Sequence, residues 1–344
     1  MSAAASRTGD ATSSVGVRLA GVGSAVPEKR LTNADLERMM DTSDEWIVQR
    51  TGIRERRSIQ EDKGESNATL SASALRNALE DARMDPAALD LVIVATCTPD
   101  MRCPSSACRS ANIVGAVNAG AFDINAACSG WVYALNIGHA FIKQRQFNTV
   151  GVVGCDTLTR TMHYSTAGRS CAILFGDAAG AAILKATDDT SKGLVAQVMR
   201  ADGSRWKDLY IPERMSDFPS PELACEEKLG YMQMHGKDVF RFAVATFPQV
   251  IQETLDKAGA TADDVSQFIC HQSNARILDA ARKRFDVPKE KLYVNIDRFG
   301  NTSAGSVPLC LDELRKAGRV HEGDMVMFVA FGGGLTWGSS LWRL

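Results

Sequence analysis

The sequence predicts an α/β fold made of two similar halves, with helices covering a largely parallel sheet. Short apolar runs, too short for helices and often rich in β-branched residues, alternate with helical stretches. A weak internal repeat relates positions about half a chain apart. The composition is that of an ordinary globular chain, with 344 residues, 45% hydrophobic and 23% charged. At about 150 residues per domain, that length fits two domain-sized units or one duplicated unit.

The first segment, MSAAASRTGDATSSVG, is small and polar and lacks the apolar run of a secretory signal. Residues 1–15 read as a disordered leader, or as the remnant of a plastid transit peptide. Gly21-Val22-Gly23-Ser24 is a weak dinucleotide signal, and Pro27 and the lack of a following helix count against it. Residues 70–84 read as a helix, and Leu91-Val92-Ile93-Val94-Ala95 as a buried parallel strand. Ala121-Phe122-Asp123-Ile124-Asn125 reads as another strand. The small residues Ala126-Ala127-Cys128-Ser129-Gly130 follow it, and then Trp131, Leu135 and Ile142 share a helix face. Thr149-Val150-Gly151-Val152-Val153 and Met325-Val326-Met327-Phe328-Val329 are further strands, as are Phe268-Ile269-Cys270 and Tyr293-Val294-Asn295-Ile296. Residues 247–258 read as a helix.

The repeat emerges from these elements. Shifted by 176 positions, Leu79 meets Leu255, Ala82 meets Ala258, Leu89 meets Val265 and Ile93 meets Ile269. The same shift sets the run from Thr149 against the run from Met325. Two such halves, 16–190 and 191–344, can abut so that strand ends from both meet at one site. Carboxyl ends of strands are where open α/β sheets place their ligands.

Charge excludes some classes. The formal net charge is −2, from 39 Lys+Arg against 41 Asp+Glu, which argues against a nucleic-acid protein driven by a basic surface. No window approaches 18 uninterrupted apolar residues, so no membrane span is expected. The nine cysteines form no CxxC pair, which disfavours a zinc ribbon or thioredoxin motif and suits a reducing compartment.

One cysteine stands out. Cys128 lies between a strand end and a helix start, where the helix dipole lowers a thiol pKa and small neighbours leave room for a substrate. Cys97, Cys155 and Cys270 read as core residues, with Cys171 and Cys310 in similar surroundings. A nucleophilic cysteine needs a base or cationic partner. Of five histidines, His271 is the candidate. It ends a strand of the second half and precedes polar Gln272-Ser273-Asn274. His139 and His321 read as structural or surface, and His163 and His235 carry no signal. Residues 298–306 read as a turn plus helix cap or as a third polar site segment. Phe331-Gly332-Gly333-Gly334 lets backbone N–H groups approach a ligand and could build an oxyanion hole.

The stretches TNADLERMMDTSDEWIVQRTGIRERR, AFDINAACSGWVYAL, GDAAGAAIL, HQSNARI, GNTSAGSVP and FGGGLTWGS, in that order, resemble β-ketoacyl-acyl-carrier-protein synthase III, a family of the thiolase superfamily. The resemblance runs from about residue 16 to residue 344. It implies a five-layered α-β-α-β-α fold of two duplicated halves, a homodimer, and a catalytic triad of Cys128, His271 and Asn301. The implied reaction is the initiating condensation of type II fatty acid synthesis. An acyl-CoA primer, with acetyl-CoA expected, acylates Cys128, and malonyl-acyl carrier protein then loses CO₂ and attacks. His271 and Asn301 would donate hydrogen bonds to the enolate oxygen, and the backbone N–H groups of Cys128 and Gly333 would form the oxyanion hole. No metal or other cofactor is implied; CoA and the carrier protein's pantetheine enter as parts of substrates.

The same resemblance implies CoA and pantetheine contacts at Trp46, Arg50, Arg169 and Asn274, with Trp46 and Arg50 sandwiching the adenine. Arg276, Lys283 and Arg284 would face the acidic carrier protein. Where the family usually has lysine and asparagine, this chain has Arg241 and Lys237. Cys103 stands where acetyl-specific members carry phenylalanine reaching toward the partner's pocket, so a longer or branched primer could fit. The expected location is the bacterial cytoplasm, or the plastid stroma if the first segment is a transit remnant. A relative serving secondary metabolism, with another acyl-CoA or acceptor, is the alternative.

Overall fold

A computed structural model describes residues 15–344. The leader expected over residues 1–15 lies almost wholly outside them. Nine strands form two sheets: β1 (Gly16–Ala25), β2 (Leu91–Ala95), β3 (Gly120–Ile124), β4 (Thr149–Thr157), β5 (Asp177–Thr187), β6 (Gly193–Ala201), β7 (Gln267–Cys270), β8 (Met325–Gly332) and β9 (Thr336–Arg343). Seven helices carry the packing: α1 (Asp44–Thr51), α2 (Asn67–Asp81), α3 (Ser106–Val114), α4 (Gly130–Lys143), α5 (Gly236–Ala258), α6 (Ala275–Arg284) and α7 (Ser306–Lys316).

The first sheet runs β1-β5-β4-β2-β3 and the second β6-β9-β8-β7. Removing β3 makes the two orders equivalent. The 176-residue shift carries the start of β2 onto β7, of α4 onto α7 and of β4 onto β8, and places α2 within α5. It also carries the short turn Ala127–Ser129 onto Ser303–Gly305. Ala127 and Ser303 share a left-handed backbone, with φ of 46° and 49°. The duplication therefore extends to the backbone of the site.

The sheets are mixed, not largely parallel. β2 pairs parallel with β3 and β4, and β7 parallel with β8, but β5 and β9 run antiparallel to both of their neighbours. An apolar run reports burial and says little about strand direction, and β5 and β9 are hidden in the same way as parallel strands. The strand expected over residues 293–296 is also absent. Only Leu292 bridges to Phe268, and Ile296–Phe299 is a short helix. The Gln272 side chain takes the place of a neighbouring strand: its amide donates to Tyr293 O at 3.1 Å and its carbonyl accepts from Asn295 N–H at 3.1 Å.

Five layers result. α2 and α3 cover the outside of the first sheet through Leu75, Leu79, Ala107 and Ala111. α5 and α6 cover the outside of the second through Phe247, Ile251, Ile277 and Leu278. α4 and α7 lie between the sheets in a shared core, where Trp131 of α4 meets Phe328 of β8 edge to face at 5.3 Å. The close approach of the halves depends on Gly154, where a Cβ would sit 2.2 Å from Ala304 O. No helix among the described residues is long and apolar enough to cross a membrane.

Candidate active site

Cys128 sits in the Ala127–Ser129 turn between β3 and α4 and is 7% exposed. β8 ends against it. A Cβ on Gly332 would lie 2.6 Å from Cys128 N, so only glycine lets the strand approach so closely. Thr336 Oγ1 lies 2.9 Å from Ala126 O and 3.1 Å from Gly333 O, and so ties the glycine loop to the cysteine turn. The two backbone segments named for an oxyanion hole are thus neighbours, one from each half.

His271 follows β7 and is 1% exposed. Its Nδ1 lies 2.8 Å from Ser306 Oγ. The Ser306 hydroxyl has one hydrogen, and Ser303 O, a pure acceptor 2.8 Å away, receives it. Ser306 Oγ must therefore accept from His271, which puts the ring hydrogen on Nδ1 and leaves a lone pair on Nε2. Burial holds the imidazole neutral, with its pKa pushed down to about 3. Asn301 is 5% exposed; its Oδ1 accepts from Ser303 N–H at 2.9 Å, which leaves the side-chain NH₂ available.

Cys128, His271, Asn301 and Asn274 line one narrow cavity of about 80 Å³ with Phe240, Ile277 and Phe331. Cys128 also borders a larger cavity of about 730 Å³, lined with Cys97, Leu158, Phe175, Leu209, Met232 and Gly333. Cys128 thus borders both a narrow channel and a roomier chamber. Burial acts on this thiol against the lowering expected from the helix start. The Cys128 pKa is pushed up to about 12, although Ser303 donates to its Sγ at 3.3 Å. Burial favours the neutral form of both thiol and imidazole, so the cysteine proton needs an acceptor as attack proceeds.

Asn274 caps α6, accepting from Arg276 N–H at 2.9 Å, and its Nδ2 donates to Arg50 O at 3.0 Å. That contact joins the channel to α1, where the guanidinium carbons of Arg50 and Arg169 lie 4.9 and 4.8 Å from the Trp46 ring centroid. Arg276 is exposed and stacks on Phe240 at 5.3 Å. Lys283 and Arg284 are exposed on the last turn of α6. Asp279 pairs with Lys283 and Arg282, so the basic face is partly neutralised. Cys103 is exposed and lines neither of these two cavities.

Four residues that local sequence signals did not single out shape the site: Ser303, Ser306, Thr336 and Asp156. Asp156 is fully buried. Its Oδ1 accepts from Thr96 Oγ1, Cys97 N–H and Thr98 Oγ1 at 2.8–3.0 Å, and its Oδ2 from Ala304 N–H at 3.1 Å. Cys97, read as core, is half-buried in the wall of the large cavity. The serines lie in the 298–306 segment, where a polar turn signal was visible but not its direction.

Two profiles of one family match the chain. The 3-oxoacyl-[acyl-carrier-protein] synthase III profile covers residues 122–203, and its C-terminal companion covers 255–344. A β-ketoacyl-[acyl-carrier-protein] synthase III of Caldanaerobacter subterraneus subsp. tengcongensis is 44% identical over 321 residues, 93% of this chain and 96% of that one. The crystal structure of 3-oxoacyl-[acyl-carrier-protein] synthase III from Aquifex aeolicus superposes with a TM-score of 0.87 at 41% identity, covering 96% of this chain and 100% of that one. The priming β-ketosynthase of the R1128 polyketide biosynthetic pathway superposes with a TM-score of 0.87 at 35% identity, covering 96% of this chain and 97% of that one.

Proposed function

The chain belongs to the β-ketoacyl-[acyl-carrier-protein] synthase III family, an acyltransferase family of the initiating condensation in fatty acid synthesis, and we propose that Cys128, His271 and Asn301 carry that reaction here. The observation that carries the assignment is the narrow cavity on which all three side chains meet, with Asn274 beside them.

An acyl-CoA enters through the channel with its pantetheine along Asn274 and its nucleotide near Trp46, Arg50 and Arg169. The Cys128 sulfur attacks the thioester carbonyl as its proton passes to the free Nε2 of His271. Cys128 and Gly333 N–H groups receive the oxyanion of the tetrahedral intermediate. The C–S bond to CoA breaks, and His271 returns the proton to the CoA sulfur. Acetyl-CoA is the expected primer, and its acyl group points into the larger chamber.

Malonyl-acyl carrier protein then takes the same channel, steered by Arg276, Lys283 and Arg284. Loss of CO₂ leaves an enolate. Asn301 donates to its oxygen, and so does His271 once it holds the single proton that the overall condensation consumes. Burial disfavours imidazolium in the empty site, but the adjacent enolate offsets that cost when charge develops. The enolate carbon attacks acyl-Cys128, a carbon–carbon bond forms, and the departing Cys128 thiolate recovers the proton. The carbanion comes from decarboxylation, so this scheme calls on no resident metal or redox cofactor.

The enzyme is proposed to work as a homodimer in the bacterial cytoplasm. The free edge of β3 and the nearby exposed Ile113 and Val117 support a partner contact there; exposed Cys103 is proposed to reach toward the partner's chamber. A second reading, priming for a secondary pathway, draws support from the likeness to the R1128 enzyme. A primer screen with malonyl-acyl carrier protein separates them. Efficient 3-oxoacyl product from acetyl-CoA or short branched primers supports the first reading; turnover only with another acyl-CoA or another acceptor supports the second.

A further inference from the structure

Ser303 touches Cys128 and Asn301 and reaches His271 through Ser306. Its hydroxyl donates to Cys128 Sγ at 3.3 Å. Its N–H donates to Asn301 Oδ1 at 2.9 Å. Its carbonyl receives the Ser306 hydroxyl at 2.8 Å, and that hydroxyl holds His271 Nδ1. The residue is fully buried and kept in a left-handed conformation at φ 49°. Such a backbone is uncommon for a serine and is held here by the surrounding hydrogen bonds. That conformation does not need the hydroxyl: the equivalent position in the first half, Ala127, adopts φ 46° with only a methyl group.

We propose that Ser303 is a fourth catalytic residue, whose hydroxyl hydrogen bond stabilises the charge that develops on the Cys128 sulfur during attack and departure. The proposal rests on Cys128 being the nucleophile. No proton leaves Ser303. The cysteine proton goes to His271 Nε2, while the serine O–H shortens its contact to a sulfur that is becoming anionic. A hydrogen bond to a charged acceptor in a dry site is stronger than one to a neutral thiol, so its benefit falls on the transition state.

The other groups around the sulfur sharpen the need for such a donor. The Asp156 carboxylate, at the end of β4, disfavours the thiolate, and burial disfavours it further. Cys97, at the end of β2, is coupled electrically to Cys128 but is itself kept protonated by burial. His271, after β7, is neutral at rest. The Ser303 hydroxyl, donating to the sulfur at 3.3 Å, favours the thiolate, as does the Cys128 backbone N–H.

The test uses Ser303→Ala in the full-length protein. Ala127 indicates that a methyl group is tolerated at this backbone, and Ser303→Gly provides a second hydroxyl-free variant suited to positive φ if the first folds poorly. Alkylation of Cys128 by iodoacetamide is followed over a neutral-to-alkaline pH series, with peptide mass mapping to separate it from Cys97. Loss of the hydroxyl should move the reactivity profile up by about one pH unit, an alkylation rate about tenfold lower at each pH below the thiol's titration. Self-acylation by acetyl-CoA should slow in parallel. An unchanged alkylation profile in both variants overturns the proposal. If wild-type protein instead forms no acyl adduct at Cys128, the underlying assignment of the nucleophile fails, and the two failures are distinguishable by that adduct.

Discussion

Replacing Ser306 by alanine removes one hydroxyl that makes three contacts. It accepts from His271 Nδ1 at 2.8 Å and, more weakly, from Gln272 N–H at 3.4 Å, and donates to Ser303 O at 2.8 Å, in a position 1% exposed. Ser303 O keeps the Ser306 backbone N–H, but the His271 Nδ1–H loses its acceptor. Leaving that buried donor unpaired costs about 1–3 kcal/mol, so the variant should be less stable by about that amount. Alanine keeps the start of α7, so the fold should survive. The kinetic loss has a separate origin. Without Ser306 the ring no longer has to keep its hydrogen on Nδ1, and an Nε2–H tautomer cannot take the Cys128 proton. Losing about 1.4–2.7 kcal/mol of transition-state stabilisation corresponds to an acylation rate about 10- to 100-fold slower. Single-turnover acylation by acetyl-CoA, followed by intact-protein mass, reads the rate, and urea unfolding reads the stability. A variant that acylates at the wild-type rate would refute the assigned tautomer and its role, whatever its stability.

Gly332→Ala should be damaging, because the new Cβ would lie 2.6 Å from Cys128 N and 3.2 Å from the Ala127 Cβ. A shift of the β8 end by a fraction of an ångström to 1 Å should lower kcat by about 100-fold; normal turnover with acetyl-CoA and malonyl-acyl carrier protein would contradict this reading. Thermal stability should fall on acidification below pH 6.5. The folded-state pKa values of His271 and His139 are depressed to about 3 and about 4 from 6.5, so in this window the unfolded chain binds protons the folded one excludes. Asp177, raised to about 6 by burial, acts in the opposite sense, its contribution being lost as pH rises toward that value. His139→Gln, outside the site, should flatten part of the acid slope in a melting series; an identical slope in both proteins would remove His139 from the explanation.

The halves were legible because their strands and helices carry matching apolar positions: Leu79 and Leu255 on helices, Ile93 and Ile269 on strands. Strand direction was not, since β5 is as apolar as a parallel strand yet runs antiparallel to β4. Cys128 and His271 could be picked out from their local surroundings, and Asn301 from the family resemblance of the GNTSAGSVP stretch. Their supports could not, because the links join Cys128 to Ser303, Ala126 to Thr336 and Asp156 to Ala304, pairs far apart in sequence. The strand expected at Tyr293 failed for a similar reason. β-branched Val294 is exposed, and a distant glutamine side chain satisfies the backbone on either side of it. The burial that raises the Cys128 thiol pKa was not legible either, because it comes from segments of both halves packing around the turn.

The most direct test of Cys128 as nucleophile is the intact mass of the protein after incubation with acetyl-CoA alone. The wild type should gain one acetyl group, mapped to Cys128, and Cys128→Ser should gain none. An acetyl adduct that persists in Cys128→Ser, or that maps to Cys97, would contradict the assignment.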